Sequence, residues 1–206
     1  MSTAGAGPGG TSTSGDRMHR PWRTGGAVTA AHYSRAVTLR FDARPYDDPL
    51  VQRLVAEVQQ EYVTRYGGPD EAPVDAAEFT PPNGLFLLGL LDEQPVTTGA
   101  WRLLEPGVAE IKRMYVSASA RRRGLARLML AELERTAVAA GVSQVVLNTG
   151  LAQPEAVALY ESSGYATIPG FGHYAAAPLA RFYGKSLVAH PAADRAGRTQ
   201  ADGPPR

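Results

Sequence analysis

The chain has 206 residues, of which 44% are hydrophobic and 20% charged, so it can hold one domain with a buried core. The formal net charge of +1 argues against a nucleic-acid partner, and no apolar run approaches the roughly 18 residues of a membrane-spanning helix. The absence of cysteine excludes disulfides, thiolate metal sites and a cysteine nucleophile, and the four histidines form no local metal-binding pair.

Both ends of the chain are poor in large apolar residues. Residues 1–35 and 190–206 are rich in Gly, Ala, Pro, small polar residues and charge, so they bury too little apolar area to offset the entropy of ordering. The first residues also lack the continuous apolar core of a secretory signal. We expect flexible extensions at both ends, one folded domain at 36–189 and a cytoplasmic location.

The first half of this domain predicts a strand, a helix and a three-stranded meander. Residues 36–41 alternate in polarity, as in a strand. A helix follows from the N-cap Asp48 and Pro49 to Gly67, with apolar residues mainly at spacing four: Leu50, Leu54, Val58 and Tyr62, with Val51 and Val55 beside them. The meander is predicted at 85–91, 96–104 and 108–116.

The second half alternates helices and strands. An amphipathic helix is predicted at 123–140, a strand at 144–149 and a helix at 154–163. Two strands, at 165–168 and 182–188, complete the order β-α-β-β-β-α-β-α-β-β. This order predicts an α/β protein in which helices cover both faces of a mixed sheet.

The stretch from Glu110 to Leu130, EIKRMYVSASARRRGLARLML, favours anion binding. A strand leads through a short loop into a helix, whose first N–H groups lack partners and whose dipole attracts anions. Gly124 would let a phosphate approach the main chain, among Arg121, Arg122, Arg123 and Arg127. Neither G-x-x-x-x-G-K-[ST] nor G-x-G-x-x-G is present. A solvated helix start remains the alternative on these residues alone.

Two motifs in this half resemble those of the GNAT superfamily of N-acetyltransferases. Residues 121–126, RRRGLA, resemble its Q/R-x-x-G-x-G/A signature, and residues 156–165, AVALYESSGY, resemble its A-x-x-L-Y-x-x-x-G-F/Y segment. The resemblance covers roughly 37–188. It is strongest to a bacterial subgroup with EIKRMYV, TGxxQPEAxxLYxxxGY and FGxY, whose members carry mostly provisional assignments as acetyltransferases of small molecules.

The resemblance implies a mostly antiparallel sheet that splays between two central strands, and transfer of an acetyl group from acetyl-CoA to the amine of a small molecule. The amine would attack directly in a ternary complex. Met114 and Val116 would offer backbone hydrogen bonds to the pantetheine arm, and Gln153 stands where the family often has a cofactor-binding Asn. The pyrophosphate would lie on main-chain N–H groups between Arg121 and Arg127, which include those of Arg122, Arg123, Gly124, Leu125 and Ala126.

The resemblance also implies two catalytic residues. Tyr160 would place its hydroxyl near the sulfur to protonate the leaving thiolate; otherwise it is a core tyrosine. Glu110 lies where several family members keep a base. Strand alternation places it on one face with Lys112, Met114 and Val116. The alternative is that Glu110 only pairs with Lys112 or with an arginine of a neighbouring strand.

The residues around the acceptor are less defined. By resemblance, those facing its cleft are Arg102, Tyr62, Arg65, Tyr66, His173 and Tyr174. Arg102 and Arg65 could clamp the carboxylate of an amino-acid-like substrate, or be surface arginines. Two other classes stay open: a catalytically silent acyl-CoA-binding sensor or partner module, and a nucleic-acid binder, which the balanced charge disfavours. No metal and no membrane partner are expected, and a homodimer is left open.

Overall fold

The computed structural model describes residues 27–30 and 37–187. The strands are β1 (Ala27–Ala30), β2 (Val37–Ala43), β3 (Gly84–Leu91), β4 (Gln94–Glu105), β5 (Val108–Val116), β6 (Gln144–Gly150), β7 (Ala166–Thr167) and β8 (Ala180–Ser186). The helices are α1 (Pro49–Tyr66), α2 (Leu125–Ala139) and α3 (Pro154–Ser162), with short 3₁₀ helices at Ala76–Phe79 and Ala118–Ala120. The predicted order of elements is confirmed from β2 to β8.

One strand lies where the sequence predicted a flexible extension. The four residues of β1 pair antiparallel with β2, from Ala27 opposite Arg40 to Ala30 opposite Val37. The other residues of that extension, and those of the predicted C-terminal tail, lie outside the described part of the chain.

The sheet runs in the order β1-β2-β3-β4-β5-β6-β8-β7, and only the β5–β6 pair is parallel. That pair is short, because residues 108–110 oppose 144–146 and the ladder then stops. From Ile111 to Val116, β5 continues to pair with β4 alone. The mixed, mostly antiparallel sheet therefore opens between its two central strands, as the resemblance implied.

Helices cover both faces of this sheet. The buried side of α1 packs with Phe86 and Leu88, whereas α2 and α3 pack on the opposite face. The predicted apolar stripe of α1 is only partly right, because Leu50 is 37% exposed. A row at spacing four rotates by about 40° per step in a helix of 3.6 residues per turn, so one stripe cannot stay buried throughout. No described helix is long and apolar enough to cross a membrane.

A bulge interrupts β5. Opposite β4, Tyr115 pairs with Thr98 and Lys112 pairs with Ala100, so Arg113 and Met114 together face Gly99. Arg113 adopts a φ of 56°, and its carbonyl oxygen accepts a hydrogen bond from the Thr98 hydroxyl at 3.1 Å.

The bulge changes which side chains share a face. Ala109 and Ile111 pack on the α2 side of the sheet, so Glu110 between them faces the α1 side. After the extra residue, Met114 packs on the α2 side and Tyr115 on the α1 side. The predicted common face for Glu110 and Met114 is therefore wrong, since unbroken alternation does not hold across a bulge.

The start of α1 depends on Asp48, whose carboxylate accepts a hydrogen bond from the Leu50 N–H at 2.8 Å. Asp48→Ala is expected to lower the free energy of unfolding by about 1 kcal/mol, because that N–H loses its partner. Asp47→Ala removes the neighbouring exposed carboxylate and is the matched control. Urea unfolding of both variants measures the difference, and equal stability of the two would contradict the role of Asp48.

Candidate active site

Two depressions meet where the central strands diverge. We call the first the α2 groove: its volume is about 520 Å³ and it lies between the N-terminus of α2, β5 and α3. The second, the α1 cavity, measures about 260 Å³ and is lined by Tyr62, Tyr66, Asp70, Lys112, Arg113 and Tyr174, among others. Gln153 lines both, so the two spaces adjoin at this residue.

The N-terminus of α2 opens into the α2 groove. Gly124 is its N-cap, with a φ of 77°, no side chain caps the helix and its first turn contains no acid. A Cβ atom at Gly124 would meet nothing within 4 Å. The first N–H groups of α2, at Leu125 and Ala126, therefore border an open space that suits an anion.

The predicted arginines differ in their contacts. Arg121, Arg122 and Arg127 line the α2 groove, whereas Arg123 does not. Arg121 pairs with Glu61 of α1 and donates to the Val116 carbonyl at 3.1 Å. Arg127 donates to the hydroxyls of two serines at the end of α3, Ser162 (2.7 Å) and Ser163 (3.0 Å). Arg122 is exposed in a left-handed conformation, with a φ of 61°.

The backbone of β5 presents Met114 and Val116 to the opening. The carbonyls of Arg113 and Tyr115 accept hydrogen bonds from the threonines of β4. Because successive backbone groups of a strand point to opposite edges, those of Met114 and Val116 point away from β4 and into the splay. The Val116 carbonyl already accepts from Arg121, so a ligand hydrogen bond to it would compete with that arginine.

Tyr160 is both a core residue and a wall of the α2 groove. It is 6% exposed, and its ring packs against Tyr165 with centroids 5.7 Å apart. Its hydroxyl donates to the sulfur of Met114 at 3.7 Å. Burial raises the pKa of Tyr160, so the phenol stays protonated at neutral pH.

Gln153 stands at the N-cap of α3 between the two spaces. Its Oε1 accepts a hydrogen bond from the Thr149 hydroxyl at 3.0 Å. The amide nitrogen is a donor of two hydrogens, so this arrangement leaves Gln153 able to donate to a ligand at the splay.

Glu110 is buried, at 4% exposure, and lines neither space. Its Oε2 accepts from the Nε (2.9 Å) and Nη2 (2.8 Å) of Arg102, and its Oε1 accepts from Lys112 at 3.3 Å. Lys112, unlike Glu110, lines the α1 cavity. Both pairings that the sequence left open, with Lys112 and with an arginine of a neighbouring strand, are present.

Arg102 and Arg65, predicted as a clamp for a substrate carboxylate, each pair with carboxylates of the chain itself. Arg102 lies opposite Glu110 in the β4–β5 register and pairs with Glu110 and Glu78. Arg65 pairs with Glu155 at 2.5 Å and donates to the Ala152 carbonyl at 2.7 Å. Neither arginine lines the α1 cavity. Nearby carboxylates hold each one in place, which sequence spacing does not show.

The aromatic residues predicted near the acceptor separate into two groups. Tyr66 and Tyr174 line the α1 cavity, whereas His173 is exposed and packs edge-on against Tyr174. Tyr66 lies directly over Gly150, where a Cβ atom would be 2.0 Å from the Tyr66 hydroxyl oxygen. Glycine is therefore required at position 150 for Tyr66 to occupy this wall of the cavity.

Sequence reasoning missed an ionic cluster in the α1 cavity. Asp70, just after α1, pairs with Arg113 of the bulge and accepts a hydrogen bond from Tyr174 at 2.6 Å. Burial would raise the pKa of Asp70, but the hydrogen bond from Tyr174 and the charge of Arg113 lower it below its usual value. The bulge that brings Arg113 to this cluster cannot be recognised from the alternation of polar and apolar residues in the sequence.

Across 27–30 and 37–187, no group of three or more His, Asp or Glu side chains is arranged to hold a metal ion.

Comparisons with known proteins identify similar sequences and folds. The sequence model of the acetyltransferase (GNAT) family matches residues 52–165. An IAA acetyltransferase from Azospirillum brasilense is 33% identical over 144 residues, covering 69% of this chain and 94% of that protein.

Solved structures share the fold. A protein from Klebsiella pneumoniae, assigned as an acyl-CoA N-acyltransferase, is 28% identical with a TM-score of 0.65, over 73% of this chain and 98% of its own. A GNAT family acetyltransferase from Elizabethkingia anophelis, solved with acetyl-CoA bound, is 12% identical with a TM-score of 0.53, over 72% of this chain and 97% of its own. The family match, the curated relative and the shared fold together lead to one conclusion: the chain belongs to the acetyltransferase (GNAT) family and is an acyltransferase.

Proposed function

We propose that this enzyme transfers an acetyl group from acetyl-CoA to the amine of a small molecule, by direct attack in a ternary complex. One observation carries the proposal: the open N-terminus of α2 and Tyr160 border one groove, which adjoins a separate cavity at Gln153. Two substrates can therefore approach the splay from different sides.

The α2 groove holds the cofactor in this proposal. The pyrophosphate accepts hydrogen bonds from the N–H groups at the start of α2, where Gly124 leaves the main chain accessible. Arg122 and Arg127 add positive charge at its rim. The pantetheine arm enters between β5 and β6, where Met114, Val116 and Gln153 offer polar groups.

The reaction needs a proton taken from the amine and a proton given to the sulfur. The amine nitrogen attacks the thioester carbonyl carbon, the carbon–sulfur bond breaks, and the thiolate leaves with the bonding electron pair. Tyr160 donates its proton to that thiolate as general acid. The phenol is protonated throughout the neutral range and so has a proton to give, and burial, which raises its pKa, makes it a weaker acid than an ordinary tyrosine.

Glu110 is the proposed acceptor of the amine proton. Because Glu110 lines neither space, the proton reaches it through a water molecule. The hydrogen bond that Glu110 accepts from Lys112, at 3.3 Å, supports an indirect route, because Lys112 lines the α1 cavity. Asp70 is the competing carboxylate, because it lines that cavity. Its lowered pKa makes it a weaker base than an ordinary aspartate.

Glu110→Gln is expected to lower turnover about 10²-fold or more, because glutamine keeps the shape but cannot accept a proton. The acidic limb of the pH–rate profile should shift or vanish. Glu78→Gln removes the other carboxylate that pairs with Arg102 and should leave turnover near the wild-type value. If Glu110→Gln keeps both the turnover and the acidic limb, Glu110 is structural. Asp70→Asn, measured alongside, would then show whether Asp70 takes the proton instead.

The overall proposal is tested by measuring CoA release from acetyl-CoA with a panel of small amines. Acetylated product, identified by mass spectrometry, should appear with at least one amine class. Tight acetyl-CoA binding without transfer to any amine would instead support a silent binding module.

A further inference from the structure

The α1 cavity contains cationic N–H donors that its own residues do not fully use. Lys112 makes one hydrogen bond within the described residues, to Glu110 at 3.3 Å, although an ammonium group carries three N–H donors. The guanidinium of Arg113 pairs with Asp70, but its Nε is buried and has no hydrogen-bond partner among the described residues. Both side chains are largely buried, at 9% and 3% exposure.

The carboxylates beside these cations, in contrast, are already satisfied. Asp70 accepts hydrogen bonds from the Tyr174 hydroxyl at 2.6 Å and the Ala72 N–H at 3.0 Å, in addition to Arg113. Glu110 accepts from Arg102 and Lys112 on its two oxygens. Lys112 therefore has spare N–H donors at the cavity, and Asp70, the carboxylate that lines it, is already paired, so the cavity favours binding of an anion over binding of a cation.

The size and walls of the cavity restrict what the anion is attached to. At about 260 Å³, the cavity is smaller than the roughly 300–1,000 Å³ of pockets for drug-sized ligands. Tyr62 and Tyr66 of α1, together with Ala177 and Leu179, provide apolar surface. Burial raises the pKa of Tyr62 to about 12, so its hydroxyl adds no negative charge that would repel an anion.

We propose that the acceptor is a small amine that also carries a carboxylate, and that Lys112 and Arg113 bind this carboxylate in the α1 cavity. This inference rests on the proposed acetyl transfer and assigns the anion site to these residues instead of Arg102 and Arg65. Lys112 binds with its spare N–H groups, and Arg113 contributes positive charge from the bulge that Thr98 holds.

The first experiment compares amino acids with their carboxamides, which differ in the charge beside the amine. The carboxylate forms are expected to show about tenfold or greater kcat/KM, as a charged hydrogen bond would provide. The amine beside a carboxamide has a lower pKa than the amine beside a carboxylate, so a larger fraction of it is neutral and reactive. This difference favours the carboxamide, so it cannot explain a preference for the carboxylate form. Lys112→Met should remove most of the preference. Lys185→Met is the matched control, because Lys185 pairs with Glu134 and lines neither space.

A second measurement separates this inference from the proposed function. Calorimetry with N-acetylated amino acids reports carboxylate binding without any chemistry, and Lys112→Met should weaken it about tenfold. If amines are acetylated with no preference for a carboxylate and Lys112→Met changes nothing, the inference is overturned while acetyl transfer stands. If no amine is acetylated but the acids bind in a Lys112-dependent way, the anion site stands and the proposed transfer fails.

Discussion

Gly124→Glu is expected to weaken acetyl-CoA binding by about 100-fold or more while the protein stays folded. The new carboxylate would lie beside the first N–H groups of α2, where the pyrophosphate is proposed to bind, and would both repel it and compete for those donors. Nothing lies within 4 Å of a Cβ atom at Gly124, so no core contact is lost. The free energy of unfolding should therefore fall only by the strain of a glutamate in the left-handed conformation, about 1–2 kcal/mol.

The same helix provides a matched control. Gly141 follows α2 with a φ of 85°, and a Cβ atom there also meets nothing within 4 Å. Gly141→Glu therefore carries similar backbone strain at the other end of the helix, away from the α2 groove. Calorimetry should show lost affinity for Gly124→Glu alone, with thermal unfolding confirming that both variants are folded. Retained affinity in Gly124→Glu, or equal loss in both variants, would contradict the proposed phosphate site.

The helix N-terminus in the α2 groove could be predicted from sequence because its parts are local. Its chemistry is contained in a few consecutive residues, and residues 121–127 carry both the glycine and the four arginines. Such features depend on φ, on helix periodicity and on backbone groups that need no distant partner. Tyr160, in contrast, is singled out only by the resemblance of residues 156–165 to a family motif, and the structure places it on α3 at the wall of that groove.

The α1 cavity could not be predicted in this way because its contacts join distant parts of the chain. Tyr174 and Asp70 are 104 residues apart in sequence, yet the hydroxyl and carboxylate are 2.6 Å apart. The position of Arg113 depends on the bulge against β4, and Arg102 is held by the carboxylate that happens to lie opposite it. A list of charged residues shows none of these pairings, so the sequence could not reveal that Arg102 and Arg65 already pair with carboxylates of the chain.

Tyr160→Phe is expected to lower turnover by about 10²–10⁴-fold, as the loss of a general acid typically does, with little change in acetyl-CoA affinity. Phenylalanine preserves the ring that packs 5.7 Å from Tyr165 and 6.1 Å from Tyr183, so the core around α3 should remain intact. Tyr183→Phe is the control: it removes the hydroxyl of the neighbouring tyrosine, which bonds to Glu161 at 3.1 Å, and should leave turnover near the wild-type value.

The measurement must isolate the chemical step, because slow product release would hide a slower proton transfer. Single-turnover rates with enzyme in excess over acetyl-CoA meet this need. If Tyr160 protonates the thiolate, the single-turnover rate falls in Tyr160→Phe and stays unchanged in Tyr183→Phe. Equal rates for wild type and Tyr160→Phe would make Tyr160 a core tyrosine only. The Tyr160 hydroxyl would then serve only to donate a hydrogen bond to Met114, and CoA would leave as the unprotonated thiolate.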